Sequence, residues 1–160
     1  MHLIVAAVGK LKAGPTRALY EHYAERVGGV GKSVSLSPLT LIEVNESRRS
    51  NVDERYAEEG GSLLAKVPQS SIIVALDEKG KGLTSTQFAE MLRRERDSGI
   101  SAAVFLIGGP DGHGAEVRQK AQKTISLGAI TLPHGLARVV LAEQLYRAAT
   151  ILAGHPYHRN

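Results

Sequence analysis

Residues 71–112 read SIIVALDEKGKGLTSTQFAEMLRRERDSGISAAVFLIGGPDG, and this stretch indicates the fold class. Two short apolar runs, at 71–76 and 102–107, are typical of buried β-strands. Between them, residues 85–97 have apolar positions at the spacing of a helix. A strand, a helix and a second strand in this order predict two parallel strands joined by a crossover helix.

The same alternation continues in both directions along the chain. We predict further strands at 2–8, 39–44 and 124–127, and helices at 15–27, 51–67, 114–122 and 135–153. Strands that are apolar on both faces and alternate with helices favour an α/β fold, with a mostly parallel sheet covered by helices on both faces. The length of 160 residues fits a single domain, 1–160.

The composition excludes several kinds of site. The chain has no cysteine, which excludes disulfides, thiol nucleophiles and cysteine-ligated metals, and its six histidines lack the spacing of a metal site. The first ten residues, MHLIVAAVGK, carry no basic leader and only a short apolar run. We therefore expect no signal peptide or membrane span and a cytoplasmic location. The net charge of +4 favours a polyanionic partner.

Three loops that follow predicted strands are candidate ligand sites, because open parallel sheets bind ligands at the carboxyl ends of their strands. They are residues 76–82, 107–112 and 127–134. Glycines in the first two allow close approach of the backbone to a ligand, and apolar residues in the third suit an adenine-like ring. The glycine spacing matches neither a dinucleotide fingerprint nor a P-loop. Each loop alone is equally compatible with a tight turn.

The end of the chain is dense in reactive side chains. His155, Tyr157, His158 and Arg159 lie within five positions, after a helix that Gly154 is expected to end. Imidazole, phenol and guanidinium groups suit proton transfer and charge stabilisation, and they equally suit contact with RNA phosphates. Both interpretations stay open from composition alone.

Several motifs occur together, mainly in the second half of the chain. They are Ala75-Leu76-Asp77, Ile107-Gly108-Gly109-Pro110-Asp111-Gly112, Thr131-Leu132-Pro133-His134, Arg138-Val139, Ala142-Glu143-Gln144-Leu145-Tyr146-Arg147-Ala148 and His155-Pro156-Tyr157-His158-Arg159. In these motifs the chain resembles the large-subunit rRNA pseudouridine N3-methyltransferases, the methyltransferase H family of the SPOUT class. The resemblance spans the whole chain and is weaker over residues 10–70. The terminal motif is highly specific, whereas the glycine loop alone is not.

The resemblance implies an α/β-knot fold, in which the C-terminal chain threads a trefoil knot, and a homodimer. It implies S-adenosylmethionine as methyl donor and N3 of a pseudouridine in 23S-type large-subunit rRNA as acceptor. Because a domain of this size has little surface to recognise a large substrate, we further expect the assembled ribosome to be the substrate and to supply part of the recognition. The cofactor contacts, carried over by position, are Leu76, Gly108, Leu127, Gly128, Ala129, Ile130, Thr131 and Leu132. Gly128 stands where relatives often have serine, and Gly135 replaces a bulkier residue.

The resemblance and the chemistry of methyl transfer together suggest roles for the tail. The acceptor N3 must lose its proton, so a base or a cation near the developing anion lowers the barrier. The candidates are His158 as the base, Arg159 and Arg138 as charge stabilisers, and Tyr157 as a group that stacks on or hydrogen-bonds the nucleobase. We hypothesise that the tail of one subunit completes the cofactor pocket of the other. RNA contact is expected from Arg48, Arg49, Lys79, Lys81, Arg118, Lys120 and Lys123.

Three alternatives stay open. The tail serves only to hold RNA phosphates, or the protein is another SPOUT-type enzyme that acts on tRNA. The third alternative is a non-catalytic ribosome-binding or assembly factor that keeps the fold, which binding of S-adenosylmethionine would exclude.

Overall fold

The computed structural model of the protein describes residues 1–159, and Asn160 lies outside the described residues. The elements follow in the order β1 (His2–Val8), α1 (Pro15–Val30), β2 (Leu39–Val44), α2 (Val52–Leu64), β3 (Ser71–Gly82), α3 (Ser85–Asp97), β4 (Ala102–Ile107), α4 (Ala115–Lys120), β5 (Lys123–Ser126) and α5 (His134–Leu152). A short 3-10 helix, Gly31–Val34, follows α1. No helix in this part of the chain is both long and apolar enough to cross a membrane.

The five strands form one sheet in the order β2-β1-β4-β3-β5, and every pair of neighbours is parallel. Alternate residues of each strand enter two separate apolar cores. Helices α1, α3 and α5 cover one face of the sheet, whereas α2 and α4 cover the other. The structure confirms the predicted α/β fold with helices on both faces. Passage of the C-terminal chain through a trefoil knot stays a prediction.

The central strand β4 is buried over its whole length, which agrees with its uninterrupted apolar sequence. Helices α2 and α3 begin at side chains that accept from backbone N–H groups of the first turn. Asn51 caps α2, and Thr84 forms a reciprocal capping box with Gln87 at the start of α3. These caps explain why both helices begin within one residue of their predicted starts.

Two elements extend beyond their predicted ends. Helix α1 continues through Gly28 and Gly29 to Val30, because packing against α5 outweighs the low helix propensity of glycine. Strand β3 continues to Gly82, since residues 81–82 pair with β5 after an irregularity in the ladder. A Cβ atom at Gly80 would lie 2.5 Å from the carbonyl carbon of Ile125, so only glycine fits this close crossing.

The start of α5 is joined to the sheet by a buried arginine. The Arg138 side chain is 2% exposed, and its guanidinium donates to the carbonyl oxygens of Val8 at 2.6 Å and Gly9 at 2.9 Å. It also forms an ion pair with Glu43 on β2, with 2.9 Å between Nη1 and Oε1. Burial lowers the pKa of Arg138, and the charge of Glu43 opposes this shift. One side chain thus connects α5 to the ends of β1 and β2.

Glu43 extends this connection to the loop after β1. Its Oε1 accepts from the backbone N–H of Leu11 at 2.6 Å, and its Oε2 lies 3.4 Å from Nη2 of Arg17. Arg17 in turn donates from Nε to the carbonyl oxygen of Leu11 at 3.1 Å. The loop between β1 and α1 is therefore held on both sides of Leu11.

Replacing Arg138 by Met should lower the free energy of unfolding by about 3–5 kcal/mol, because Glu43 and two carbonyl groups lose their buried partner. Urea denaturation followed by circular dichroism measures the change. Arg93→Met is the matched control, since Arg93 pairs with Glu90 at the exposed surface of α3 and should leave the unfolding midpoint almost unchanged. Equal effects of the two substitutions would contradict the structural role of Arg138.

Candidate active site

A cavity of about 280 Å³ opens at the carboxyl edge of the sheet, beside β3, β4 and β5. It is lined by residues 76–78, by the loops that follow β4 and β5, and by the first turn of α5. Residues 76–82, predicted from the sequence as a loop, are part of strand β3. Seven of the eight predicted cofactor residues lie in its wall: Leu76, Gly108, Leu127, Gly128, Ile130, Thr131 and Leu132. Ala129 belongs to the same loop but does not line the cavity. The position agrees with the general rule for ligand sites in parallel sheets.

The glycine loop after β4 is a tight turn that other residues would distort. A Cβ atom at Gly108 would lie 2.5 Å from the carbonyl oxygen of Gly112, and one at Gly109 would lie 2.6 Å from Oε2 of Glu59. Gly112 has a φ of +81° and donates from its N–H to the carbonyl oxygen of Gly109 at 2.9 Å. All three glycines of this turn line the cavity, together with Pro110 and Asp111.

Contacts from α2 and from beneath the sheet edge hold this loop. Arg55 donates from Nε to the Asp111 carboxylate at 2.7 Å, and the Tyr56 hydroxyl donates to the carbonyl oxygen of Asp111 at 3.0 Å. His113 is buried below the loop, with Nε2 at 3.0 Å from the carbonyl oxygen of Leu106. Burial lowers the pKa of His113, so the ring is neutral at neutral pH and Nε2 donates this hydrogen bond.

The loop after β5 offers unpaired backbone groups. Ser126 fixes its first turn, donating from Oγ to the carbonyl oxygen of Gly128 at 2.8 Å and accepting from the Gly128 N–H at 3.2 Å. Gly128 has a φ of +134°, a conformation that favours glycine. The N–H groups of Ile130 and Leu132 donate to no acceptor among residues 1–159. They remain available to a ligand.

The cavity also has an acidic side chain that the sequence did not single out as a ligand contact. Asp77 accepts from Nε and Nη2 of Arg118 at 3.1 and 3.0 Å and from the N–H of Lys79 at 2.9 Å. Burial acts to raise the pKa of Asp77, but these hydrogen bonds outweigh it and lower the pKa below its ordinary value. The carboxylate is therefore charged at neutral pH. In the described chain, no three His, Asp or Glu side chains are grouped to hold a metal ion.

The C-terminal tail packs on the last turns of its own α5. The Tyr157 ring lies 4.6 Å from that of Tyr146, and its hydroxyl donates to Oε1 of Glu143 at 3.1 Å. Arg147 lies 4.8 Å above the Tyr157 ring, and its Nη1 is 3.3 Å from Nδ1 of His158. Burial raises the pKa of Tyr157 to about 12, and the hydrogen bonds of its hydroxyl with Tyr23 and Glu143 add to the shift. Tyr157 and His158 are thus brought together.

The tail and the cavity lie at different ends of α5. Ala137 lines the cavity, whereas Arg147, which contacts His158, is ten residues further along. Ten residues of α-helix span about 15 Å. Arg159 is exposed, and none of the three tail residues lines the cavity. Arg138 does not reach it either, because its guanidinium is buried against β1 and β2.

Among solved structures, one match is the SpoU methyltransferase AviRb from Streptomyces viridochromogenes, in complex with the cofactor AdoMet. It aligns with a TM-score of 0.43 and 17% sequence identity, covering 91% of this chain and 57% of that chain. The similarity is distant.

Sequence relatives are much closer. The ribosomal RNA large subunit methyltransferase H proteins of Nitrobacter winogradskyi and Bradyrhizobium diazoefficiens are each 50% identical to this chain over 159 residues, which is 99% of both sequences. The family model described as predicted SPOUT methyltransferase matches residues 1–158. The chain therefore belongs to the SPOUT methyltransferase family.

Proposed function

We propose that the protein uses S-adenosylmethionine to methylate N3 of a pseudouridine in 23S-type large-subunit rRNA, on assembled ribosomes in the cytoplasm. The observation that carries the proposal is the cavity beside β3, β4 and β5, in which seven of the eight expected cofactor residues meet. The relatives that are 50% identical are named for methylation of large-subunit rRNA, and we extend that substrate to this chain.

The groups in the cavity fit S-adenosylmethionine. The cofactor supplies an electrophilic methyl group when bound. Apolar side chains and the unpaired N–H groups of Ile130 and Leu132 suit an adenine ring, which needs both stacking and hydrogen-bond donors. The charged carboxylate of Asp77 suits a ribose hydroxyl or an ammonium group.

A second copy of the chain completes the site in this proposal. Within one chain the tail and the cavity are separated along α5, so the tail of one subunit serves the cavity of its partner. Two large apolar side chains near the cavity support such a contact, since Ile130 is 82% exposed and Leu136 is 46% exposed. A homodimer would bury both.

The contact between Arg147 and His158 affects the chemistry of the tail. A guanidinium group only donates hydrogen bonds, so Nδ1 of His158 accepts and Nε2 carries the proton of the neutral ring. In this arrangement Nε2 donates to a nucleobase oxygen and stabilises the anion that forms when N3 loses its proton to water. Action of His158 as the general base requires release of Arg147. Arg159 adds positive charge to the same tail, and Tyr157 anchors it.

The substrate is tested by mass-spectrometric mapping of rRNA and tRNA from cells with and without the gene. The proposal predicts one 23S-type rRNA fragment whose pseudouridine loses a methyl group on deletion and regains it when purified ribosomes are incubated with the protein and S-adenosylmethionine. A change confined to tRNA would identify the tRNA-acting alternative. Methylation of naked rRNA as efficient as that of intact ribosomes would contradict the assembled ribosome as substrate.

Gly108→Ala tests the cofactor site, because the added methyl group collides with the carbonyl oxygen of Gly112 and forces the loop out of place. We expect the dissociation constant for S-adenosylmethionine, measured by calorimetry, to rise at least about tenfold, as a loss of about 1.4 kcal/mol implies. Gly61→Ala in α2 is the control, since its Cβ atom meets nothing within 4 Å. Unaltered binding by Gly108→Ala would contradict this site, and no binding by the unaltered protein would favour the non-catalytic factor.

His158→Ala distinguishes the two chemical roles of the tail. Loss of a hydrogen bond to the developing anion should lower kcat by about 10²–10³-fold and leave the shape of the pH–rate profile unaltered. Loss of a general base would instead change the profile. His155→Ala is the matched control, because its ring accepts only the N–H of Tyr157 among the described contacts. Full activity of His158→Ala would exclude both roles.

A further inference from the structure

Two loops that the proposed cofactor site does not use lie at the same edge of the sheet as the cavity. Residues 9–14 follow β1, and residues 45–51 follow β2. All five strands are parallel, so their carboxyl ends share one edge. In the order β2-β1-β4-β3-β5, these two loops occupy the side of β4 away from β3 and β5. An extended ligand that reaches the cavity from that side passes over them.

The two loops carry three exposed basic side chains that form no ion pair, and one exposed acidic side chain, Glu46, in the loop after β2. Lys10, Lys12 and Arg48 are exposed, and none of them pairs with a carboxylate among residues 1–159. The seven basic residues expected from the sequence to bind RNA fall into two groups. Arg49, Arg118, Lys120 and Lys123 form ion pairs within the chain, whereas Arg48, Lys79 and Lys81 form none among residues 1–159. Lys10 and Lys12 were not among the residues predicted to contact RNA.

The loop after β1 holds its two lysines in a fixed position. Arg138 binds the carbonyl oxygen of Gly9, while Glu43 and Arg17 bind the N–H and the carbonyl oxygen of Leu11. Lys10 and Lys12 flank this anchored residue and point away from the core, as their exposure shows. A surface that is already ordered loses less conformational entropy when it binds a ligand.

This loop also contacts the wall of the cavity. A Cβ atom at Gly135 would lie 3.0 Å from Cγ2 of Thr16 and 3.3 Å from Cδ2 of Leu11, so the loop packs directly against the first turn of α5. His134, the preceding residue, lines the cavity. The loop that carries the two lysines thus adjoins the wall of the cavity.

We propose that Lys10, Lys12 and Arg48 form a phosphate-binding surface that holds the rRNA backbone next to the acceptor nucleotide. The inference rests on the proposed function, because it takes the cavity to be the place of methyl transfer. Lysine and arginine neutralise phosphates and release condensed counterions, which gives affinity without sequence preference. In this proposal the cavity and the C-terminal tail recognise the nucleobase itself.

The double variant Lys10→Ala/Lys12→Ala tests this surface by sedimentation binding to purified ribosomes over a range of KCl concentrations. The slope of log K against log salt should decrease by about 1.5, since two phosphate contacts are lost at about 0.7–0.9 each, and affinity near 0.15 M salt should fall about tenfold. The dissociation constant for S-adenosylmethionine should stay as in the unaltered protein.

Lys32→Ala/Lys66→Ala is the matched control, because it removes the same charge from exposed lysines at the opposite edge of the sheet. If the two double variants had the same slope of log K against log salt, the proposed phosphate-binding surface would be wrong. Weaker ribosome binding with an unaltered salt slope would also overturn it, because the contact would then not be to phosphate. Failure of the proposed function can be told apart from failure of this surface. In the former case the unaltered protein would not methylate rRNA.

Discussion

The buried ion pair between Arg138 and Glu43 is the interaction on which the rest of the site depends. It fixes the start of α5 against the ends of β1 and β2. The first turn of α5 lines the cavity and its last turns hold the tail, so the position of this helix determines where both lie. A buried ion pair adds less stability than its charges suggest, but removing one partner is strongly destabilising. The pair therefore specifies geometry more than it raises stability.

Helix α5 separates the cavity proposed to bind the cofactor from the tail residues proposed to stabilise charge. Backbone loops at one edge of the sheet form a cavity with unpaired N–H groups and a charged carboxylate. The side chains suited to charge stabilisation are at the far end of the helix, where Tyr157 is anchored to Glu143. A single chain cannot join them without unpacking the tail. In the proposed homodimer a second copy would join them without any change in fold, and it would cover the exposed side chain of Ile130.

Most strands and helices could be predicted from the sequence, because apolar residues recur at a different spacing in strands and in helices. The extension of β3 was missed because DEKGKG is polar, and its pairing with β5 depends on a contact far along the chain. The sequence predicted that Arg138 stabilises charge at the site, whereas the structure buries its side chain. A motif cannot show whether one of its residues faces a ligand or the core. The pair between Asp77 and Arg118 joins residues 41 positions apart, which local patterns do not reveal. The resemblance, not periodicity, pointed to the cofactor residues.

The central claim is that the tail of one subunit serves the cavity of the other, and the most direct measurement is methyl transfer to ribosomes by a mixture of two variants. One variant ends after Gly154 and has an intact cavity; the other is Gly108→Ala and has an intact tail. The truncated variant alone should be inactive, and Gly108→Ala alone should be nearly inactive when S-adenosylmethionine is kept well below its raised dissociation constant. After co-refolding in equal amounts, about half the dimers are mixed and each has one complete site, so about a quarter of the activity of the unaltered protein should return. Formation of mixed dimers without recovered activity would contradict the claim.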